Sequence, residues 1–299
     1  MDLAKLLSPS QFEAATRLDA PVCILAGAGS GKTRVITHRI AWLMTDKRET
    51  AESILAVTFT NKAAGEMRER VDRLVPYGYA TTPIKTFHAW GDELLRENAH
   101  RLGIAGELRV LGRAEVVLLL REHLFELGLS RFAPLGDPTR FLGDVAGYIS
   151  RAKEEAVTPD QVDAFAAALR SKAAAVESDD NATEKERSTS AEYAAALRRL
   201  GEEQAELAAV YRSYRSILAK RGLLDFGDQV LLSHELLQSD PLVAARVRER
   251  HRWLLVDEYQ DTNRLQGALV DLITQGNGNL TAVGQQSALR VELCGEIGE

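Results

Sequence analysis

The sequence predicts an α/β protein in which a parallel sheet carries helices on both faces and an all-helical subdomain is inserted into the chain. Short apolar segments alternate with segments of helical periodicity over the first hundred residues, which is typical of right-handed βαβ units. From about Gly106 to Leu223 the sequence is Ala-rich and mostly helical, and strand-like segments return only at Trp253. The helical subdomain is therefore expected between the third and fourth strands.

Five short apolar segments are expected to form the buried strands of the sheet. They are Val22–Ala26, Ile54–Thr58, Pro83–Lys85, Trp253–Val256 and Leu280–Val283. Helices are expected over Gly31–Met44, Ala63–Leu74 and His88–Leu102. An earlier helix is expected to begin at Ser8, since Ser is a favourable N-cap and Pro9 suits the first helical position. The polar segment Glu177–Ser190 is expected to be a solvated loop.

These patterns divide residues 1–284 into an α/β domain in two parts (1–105 and 223–284) and the helical insertion (106–222), and they leave a tail of residues 285–299. A composition of 45% hydrophobic and 27% charged residues excludes a disordered chain, a collagen and a disulfide scaffold. Two cysteines, the lack of a signal-peptide pattern and the lack of a long apolar run predict a cytoplasmic protein. The net charge of −6 argues against a simple cationic nucleic-acid binder.

A glycine-rich loop follows the first predicted strand and opens a helix. Its backbone N–H groups can wrap around phosphate oxygens, and the helix N-terminus adds a positive partial charge. Lys32 is expected to reach the β- and γ-phosphates, and the Thr33 hydroxyl is expected to ligate Mg²⁺. A glycine-rich turn with an incidental lysine is the simpler alternative, but it does not explain the strand–loop–helix context. The expected nucleotide-binding residues of this segment are Ala26, Gly27, Ala28, Gly29, Ser30, Gly31, Lys32, Thr33 and Arg34.

A carboxylate pair, Asp257 and Glu258, directly follows the predicted strand Trp253–Val256. The carboxyl ends of parallel strands are where such sheets bind ligands. Asp257 is expected to hold Mg²⁺, and Glu258 is expected to polarise the attacking water. An isolated acidic pair is more often part of a solvated loop, so the interpretation depends on the phosphate loop being present in the same chain.

These two motifs, together with further segments, resemble the UvrD/Rep family of superfamily 1 DNA helicases over about residues 7–284. The matching segments are Leu7–Gln11, Thr58–Ala64 with Glu66 and Met67, Thr86–Ala89, Val256–Asn263, and more loosely Ile149–Lys153 and Leu224–Phe226. The resemblance implies a RecA-like P-loop NTPase fold, ATP and Mg²⁺ as cofactors, and Gln11 as the residue that reads the adenine edge. It also implies ATP-driven 3′–5′ movement on single-stranded DNA, with a 3′-tailed duplex as substrate and DNA repair among the processes served.

The resemblance further implies a DNA track along two strand ends. Its expected residues are Phe59, Thr60, Asn61, Thr86, Phe87 and His88. Without these motifs, core packing is the simpler interpretation of Phe59 and Phe87, and His88 is more simply a polar residue at a helix start. An aromatic side chain at a strand end is suited to contact a base.

The sequence departs from the family pattern after Gly284, where Gln285-Gln286-Ser287-Ala288 stands in place of the family's third motif. Gln286 is the candidate γ-phosphate sensor. The chain is expected to represent the first motor domain, and an alternative is a nucleotide-binding module without autonomous unwinding, either inactive or dependent on a partner that supplies a second motor domain. An unrelated small-molecule kinase would explain Lys32 and Asp257, but not Gln11 or the DNA-track segments.

Overall fold

The structure is a computed structural model, and it describes residues 2–27, 29–75, 82–102, 108–177, 184–276 and 278–285. The described residues form two compact units. The first combines residues from 1–97 and 232–299, and the second lies within 98–231. The sequence-derived domain boundaries lie several residues away from these divisions and stay a prediction.

The strands and helices of the described residues follow in chain order. The strands are β1 (Val22–Leu25), β2 (Ile54–Thr58), β3 (Ile84–Thr86), β4 (Arg109–Leu111), β5 (Leu223–Asp225), β6 (Trp253–Val256) and β7 (Leu280–Gly284). The α-helices are α1 (Leu3–Leu6), α2 (Pro9–Thr16), α3 (Lys32–Thr45), α4 (Asn61–Leu74), α5 (Phe87–Glu97), α6 (Arg113–Glu122), α7 (Leu142–Glu154), α8 (Pro159–Glu177), α9 (Glu184–Arg221), α10 (Phe226–Ser239), α11 (Pro241–Arg250) and α12 (Arg264–Thr274). Within the ranges given above, no helix is both long enough and apolar enough to cross a membrane.

The first unit is built on a parallel sheet of five strands in the order β1-β7-β6-β2-β3. All five residues of β2 are buried, although successive side chains of a strand point to opposite faces. Both faces at this strand are therefore covered, as is usual for parallel sheets. The predicted α/β fold class is confirmed, and the insertion does separate the third strand of this sheet from the fourth.

Helices α3 and α4 pack against the sheet through one apolar cluster. Its buried members include Ile36, Ile40, Leu43 and Met44 of α3, Met67 and Val71 of α4, and Ala56, Leu255 and Val283 of the strands. Burial of these side chains supplies the main stabilisation of the unit, at roughly 25 cal/mol per Å² of apolar surface removed from water. Because α3 is fixed in this way, the segment between β1 and α3 has a rigid support at each end.

Helix α2 begins where the sequence predicts it. Ser8 caps the helix, since its Oγ accepts a hydrogen bond from the Gln11 N–H at 3.4 Å. The Gln11 side chain closes the capping box by accepting from the Ser8 N–H at 3.1 Å. Pro9 occupies the first helical position, where its missing N–H is not needed.

The second unit contains α6 to α9 and a two-stranded parallel sheet of β4 and β5. Its core is mostly apolar and contains one ionic cluster. The Lys153 Nζ lies 2.6 Å from a carboxylate oxygen of Asp225 and 2.6 Å from one of Asp228. The Tyr214 hydroxyl donates to Asp225 at 2.8 Å. Each buried charge therefore has a partner, without which its burial would be strongly unfavourable.

Two expectations for the insertion are wrong. Strands β4 and β5 lie in or at the edge of a segment expected to be helical, and strand structure therefore returns before Trp253. Each has three residues, too few to show a period of two, and they pair only with each other. The expected loop Glu177–Ser190 is also partly helical, because α9 already begins at Glu184. Glu, Lys and Arg are good helix formers, and a helix once nucleated extends readily.

A buried histidine joins three segments of the first unit. The His251 Nε2 accepts a hydrogen bond from the Trp90 indole N–H at 3.3 Å, and its Nδ1 lies 3.1 Å from the Glu52 carbonyl oxygen. A carbonyl can only accept, so His251 is neutral with its proton on Nδ1. Burial lowers the pKa of His251 to about 4.

The stability of the protein is expected to depend on His251 below neutral pH. The unfolded histidine binds protons at a higher pH than the folded one, so the free energy of unfolding falls as pH drops from about 6.5 to about 4. A pKa difference of this size corresponds to about 3 kcal/mol at ~1.4 kcal/mol per unit. Denaturant unfolding at a series of pH values measures it.

In the variant His251→Gln, the free energy of unfolding should depend less on pH between about 6.5 and about 4. Replacement of the exposed His100 by Gln should leave this dependence unchanged. His88, whose pKa burial also lowers to about 4, and His234, whose pKa burial likewise lowers, contribute to the residual slope. An unaltered profile in His251→Gln would contradict the assignment.

Candidate nucleotide and DNA site

The loop between β1 and α3 is held in a compact turn. The Ala26 N–H donates to the Gly284 carbonyl of β7 at 3.1 Å, which fixes the start of the loop to the sheet. The Ser30 hydroxyl and N–H both donate to the Gly27 carbonyl, at 2.7 and 3.3 Å. Gly29 has a φ of 76°, a left-handed conformation that favours glycine. The predicted residue Ala28 lies outside the described residues.

Lys32 and Thr33 form the first turn of α3, where backbone N–H groups have no partner within the helix. Both side chains are half-buried. The Lys32 Nζ lies 3.4 Å from the Ala26 carbonyl oxygen, so the side chain folds back over the loop. The first turn of α3 therefore combines an ammonium group, a hydroxyl group and the positive end of the helix dipole, a combination that favours an anion.

Gln11 and Arg34 tie the preceding segment to this loop. The Gln11 Nε2 donates to the Ser30 carbonyl at 3.1 Å. The Arg34 guanidinium donates to the Leu6 carbonyl at 2.6 Å. The Gln11 amide has one further N–H and a further lone pair beyond the hydrogen bonds to Ser30 and Ser8. It can therefore still present a donor and an acceptor to a ligand.

The acidic pair lies at the carboxyl end of β6. Asp257 is buried and its N–H donates to the Val57 carbonyl at 2.9 Å. Burial, followed by the negative charge of Glu258, raises the pKa of Asp257, and the positive charge of Lys32 acts in the opposite direction. Lys32 is therefore near enough to this carboxyl for its charge to act on it, as is Arg70.

Sheet order explains why these two segments meet. Strand β7 pairs with β1 on one side and with β6 on the other. The carboxyl ends of parallel strands lie along one edge, so the loop after Leu25 and the acids after Val256 are separated by about two strand spacings, on the order of 10 Å. Thr33 and Asp257 bring a hydroxyl and a carboxylate to this edge, which are the hard oxygen ligands that Mg²⁺ prefers.

Gln260 is a site residue that the sequence reasoning missed. Its Nε2 donates to a Glu258 carboxylate oxygen at 2.8 Å, and its Oε1 accepts from the Gln285 N–H at 3.1 Å. Glu258 has a φ of 52°, which is unusual for a residue other than glycine. Gln260 thus links the orientation of Glu258 to the end of β7. The sequence signal that could have identified Gln260 is its amide side chain, two residues after Glu258. Gln286, the predicted γ-phosphate sensor, lies outside the described residues.

The six predicted DNA contacts lie at the ends of β2 and β3, which pair at Thr58 and Thr86. Phe59 is 57% exposed, so core packing is not its role. Asn61 is exposed as well, and so is Thr60, whose hydroxyl caps α4 by accepting from the Ala63 N–H.

The other three predicted contacts are less accessible. Phe87 is only 4% exposed and packs in the core, as the simpler interpretation held. Thr86 is buried and its hydroxyl accepts from the Ala89 N–H at 3.2 Å, while His88 is half-buried. The structure therefore offers one exposed surface after β2, formed by Phe59, Thr60 and Asn61.

Comparison with known proteins gives consistent matches. The family model described as UvrD/REP helicase N-terminal domain matches residues 7–287. The ATP-dependent DNA helicase PcrA of Bacillus subtilis is 35% identical over 279 residues, which cover 93% of this chain and 32% of that protein. The PcrA of Leuconostoc citreum is 36% identical with the same coverage. The probable DNA helicase II homolog of Mycoplasma capricolum is 31% identical over 283 residues, or 95% of this chain and 34% of the relative. The chain spans about a third of the length of the curated relatives it matches.

Substitution of Gly31 by alanine is expected to strain the loop. Gly31 has a φ of 93°, and a Cβ added there would lie 2.8 Å from the Gln11 Nε2. The free energy of unfolding should fall by about 1–3 kcal/mol, the range for a residue forced into a strained conformation. Chemical denaturation measures this change.

The matched control is Gly27→Ala, because a Cβ at Gly27 meets nothing within 4 Å. A change below about 0.5 kcal/mol is expected there. Equal losses in the two variants would show that neither the backbone conformation nor the contact with Gln11 constrains Gly31.

Proposed function

The chain belongs to the UvrD/REP helicase N-terminal domain family, and from this premise we propose that it binds and hydrolyses ATP with Mg²⁺ and contacts single-stranded DNA as the first motor domain of a DNA helicase. The observation that carries the proposal is the meeting of the Lys32 loop and the Asp257–Glu258 pair at one edge of the sheet. A phosphate loop alone is compatible with many nucleotide-binding proteins. The acidic pair facing it supports hydrolysis rather than binding alone.

Each side chain at this edge has a distinct role in the proposal. The backbone of the loop and Lys32 bind the phosphates, and Lys32 compensates charge on the β- and γ-phosphates. Thr33 and Asp257 would hold Mg²⁺, which supplies electrostatic stabilisation of the transferred phosphoryl group when bound. Glu258 orients the attacking water and accepts its proton. Gln260 holds the Glu258 carboxylate in place through its 2.8 Å hydrogen bond.

Adenine recognition is assigned to Gln11. An amide that offers one donor and one acceptor complements the adjacent N6 and N7 groups of adenine. The anchoring of Gln11 to Ser30 and Ser8 supports this role, because both hydrogen bonds restrict the amide before a ligand binds. Arg34 lies beside this segment through its contact with Leu6.

DNA binding is assigned to the exposed surface Phe59, Thr60 and Asn61. Phe59 presents a ring on which a base can stack, and such stacking tolerates any base sequence. Thr86, Phe87 and His88 are proposed to support the track from behind, since Phe87 is buried. Movement in the 3′–5′ direction and a preference for 3′-tailed duplexes belong to this proposal as well.

Strand separation is proposed for the whole protein, with a second motor domain closing on ATP in the same chain or supplied by a partner. A strand-displacement assay with the 299-residue chain, ATP and Mg²⁺ measures how much of that activity these residues carry. The alternative, a nucleotide-binding module without autonomous unwinding, predicts nucleotide binding in the absence of displacement. A small-molecule kinase predicts no stimulation of ATP hydrolysis by single-stranded DNA.

Two substitutions should separate nucleotide binding from hydrolysis. Lys32→Ala is expected to weaken ATP binding by more than about tenfold, because a charge-assisted contact to phosphate is lost. Glu258→Gln is expected to bind ATP normally but to slow hydrolysis by about 10²–10⁴-fold, the usual contribution of a general base. Calorimetry and a phosphate-release assay measure the two effects.

The control is Lys5→Ala, which removes a lysine whose side chain is 83% exposed. This variant should change neither the affinity for ATP nor the rate of ATP hydrolysis. ATP binding that is indifferent to Lys32 would refute the assignment of the loop, and unimpaired hydrolysis in Glu258→Gln would refute the assignment of the base.

Phe59→Ala is expected to weaken binding of single-stranded DNA by about tenfold, since stacking on one base contributes roughly 1–3 kcal/mol. The dependence of affinity on salt should stay the same, because no phosphate contact is removed. Fluorescence anisotropy with a labelled oligonucleotide at several salt concentrations gives the affinity and its dependence on salt. The matched control is Phe125→Ala, which removes another exposed ring. Similar losses in both variants would count against a specific stacking role for Phe59.

A further inference from the structure

A buried arginine on α3 holds the end of α2. Arg39 is 1% exposed and is among the largest fully buried side chains of the described residues. Its Nη1 donates to the carbonyl oxygens of Ala14 and Ala15, at 3.2 and 3.1 Å. These carbonyls belong to the last turn of α2, where they have no partner within the helix. Arg39 therefore satisfies two of the terminal carbonyls of α2.

The surroundings of Arg39 stabilise its charge. The carboxyl end of a helix carries a partial negative charge, and the guanidinium lies against that end of α2. It also lies over the Trp253 ring, 5.8 Å from the centroid, in a cation–π contact. Burial lowers the pKa of Arg39 to about 10, which leaves it charged at neutral pH. A buried cation therefore bridges α2, α3 and the start of β6.

Helix α2 is attached to the phosphate-binding segment at both of its ends. At its start, Gln11 donates to the Ser30 carbonyl of the loop. At its end, the two carbonyls accept from Arg39, which lies seven residues, about 10 Å, along α3 from Lys32. Between them, Ala15 and Val35 share a small apolar cluster. Helix α2 thus lies alongside α3, and of its polar attachments to Ser30 and Arg39, the one to Arg39 lies farther from the phosphate loop.

We propose that Arg39 is a positioning residue that fixes α2 against α3 and thereby sets the preference of the site for adenine over other bases. The inference rests on the proposed function, in which Gln11 reads the base. Gln11 fits closely beside the loop, because its Nε2 lies 2.8 Å from the position of a Cβ at Gly31. A small rotation of α2 would therefore move the Gln11 amide away from the position in which it can hydrogen-bond to the base. Apart from the contact of Gln11 with Ser30, the hydrogen bonds that hold the phosphate loop run to Gly27 and Gly284 and do not involve α2.

The experiment compares binding of ATP, GTP and inorganic tripolyphosphate to the purified chain by calorimetry. Arg39→Met replaces arginine by another long side chain, but one that is apolar, and so removes both hydrogen bonds and the charge. We expect the ratio of ATP to GTP affinity to fall by about tenfold, the size expected when a base-reading hydrogen bond is lost. Tripolyphosphate affinity should stay within about twofold, because phosphate contacts are made by other groups. Arg39→Lys, which keeps a charge and a donor, should retain a higher ratio than Arg39→Met.

A merely structural role for Arg39 is tested with Leu43→Ala. Leu43 is also buried on α3, but it belongs to the cluster that packs against the sheet. That variant should lower the melting temperature without changing the ATP to GTP ratio. Hydrogen exchange provides a second measurement. In Arg39→Met the backbone amides of α2 should exchange faster than in the wild type. In Leu43→Ala the exchange rate of the α2 amides, relative to the rest of the unit, should stay at its wild-type value. If Arg39→Met does not fold, Arg39→Lys carries the comparison with the same expected direction.

Gln11→Ala distinguishes failure of this inference from failure of the proposed function. If Gln11→Ala abolishes the preference for ATP while Arg39→Met and Arg39→Lys retain it fully, the role of Arg39 is refuted and the assignment of Gln11 stands. If the wild-type chain binds tripolyphosphate but shows no preference for ATP, base recognition by Gln11 is refuted, together with the inference built on it. An equal loss of ratio in Leu43→Ala would also overturn the inference.

Discussion

The position of β7 between β1 and β6 is the constraint on which the nucleotide site depends. The last strand of the described residues separates the strand that leads into the phosphate loop from the strand that ends in the acidic pair. Its pairing fixes the loop directly, because the Gly284 carbonyl accepts from the Ala26 N–H. The span between Lys32 and Asp257 is then set by strand spacing, which varies little between proteins. A shift in this order would separate the two groups that are proposed to act on one ligand.

Buried charge recurs in this molecule, and each instance has a compensating group of a different kind. Arg39 lies against helix carbonyls, and Lys153 lies between two carboxylates. Asp257 is buried beside another acid, with Lys32 as the opposing charge. The arrangement around Lys153 is complete within the protein, whereas the Arg39 Nε has no hydrogen-bond partner among the described residues. The third gathers negative charge at an open edge, which is the arrangement that a bound cation would complete.

Local chemistry made much of the fold and site predictable from sequence. Ser8 and Pro9 determine a helix start by their own geometry, and the glycines before Lys32 determine a loop that no other residue type permits as easily. Features that depend on distant partners were not predictable. Strands β4 and β5 exist only because they pair with each other across more than a hundred residues. Phe59 and Phe87 have the same side chain at equivalent strand ends, yet one is exposed and the other is buried, and only tertiary packing distinguishes them.

The difference between buried strand residues and the residues just beyond the strand ends indicates where movement can occur in the first unit. The residues of β2 and β6 are buried almost completely, and close-packed strands of this kind deform little. The functional groups lie just beyond the strands, in segments with fewer constraints. Asp257 accompanies β6 by hydrogen bonding to Val57, and Phe59 follows Val57 by two residues. A short, directly bonded connection at the end of a rigid sheet therefore joins Asp257 to the segment that carries the exposed ring of Phe59.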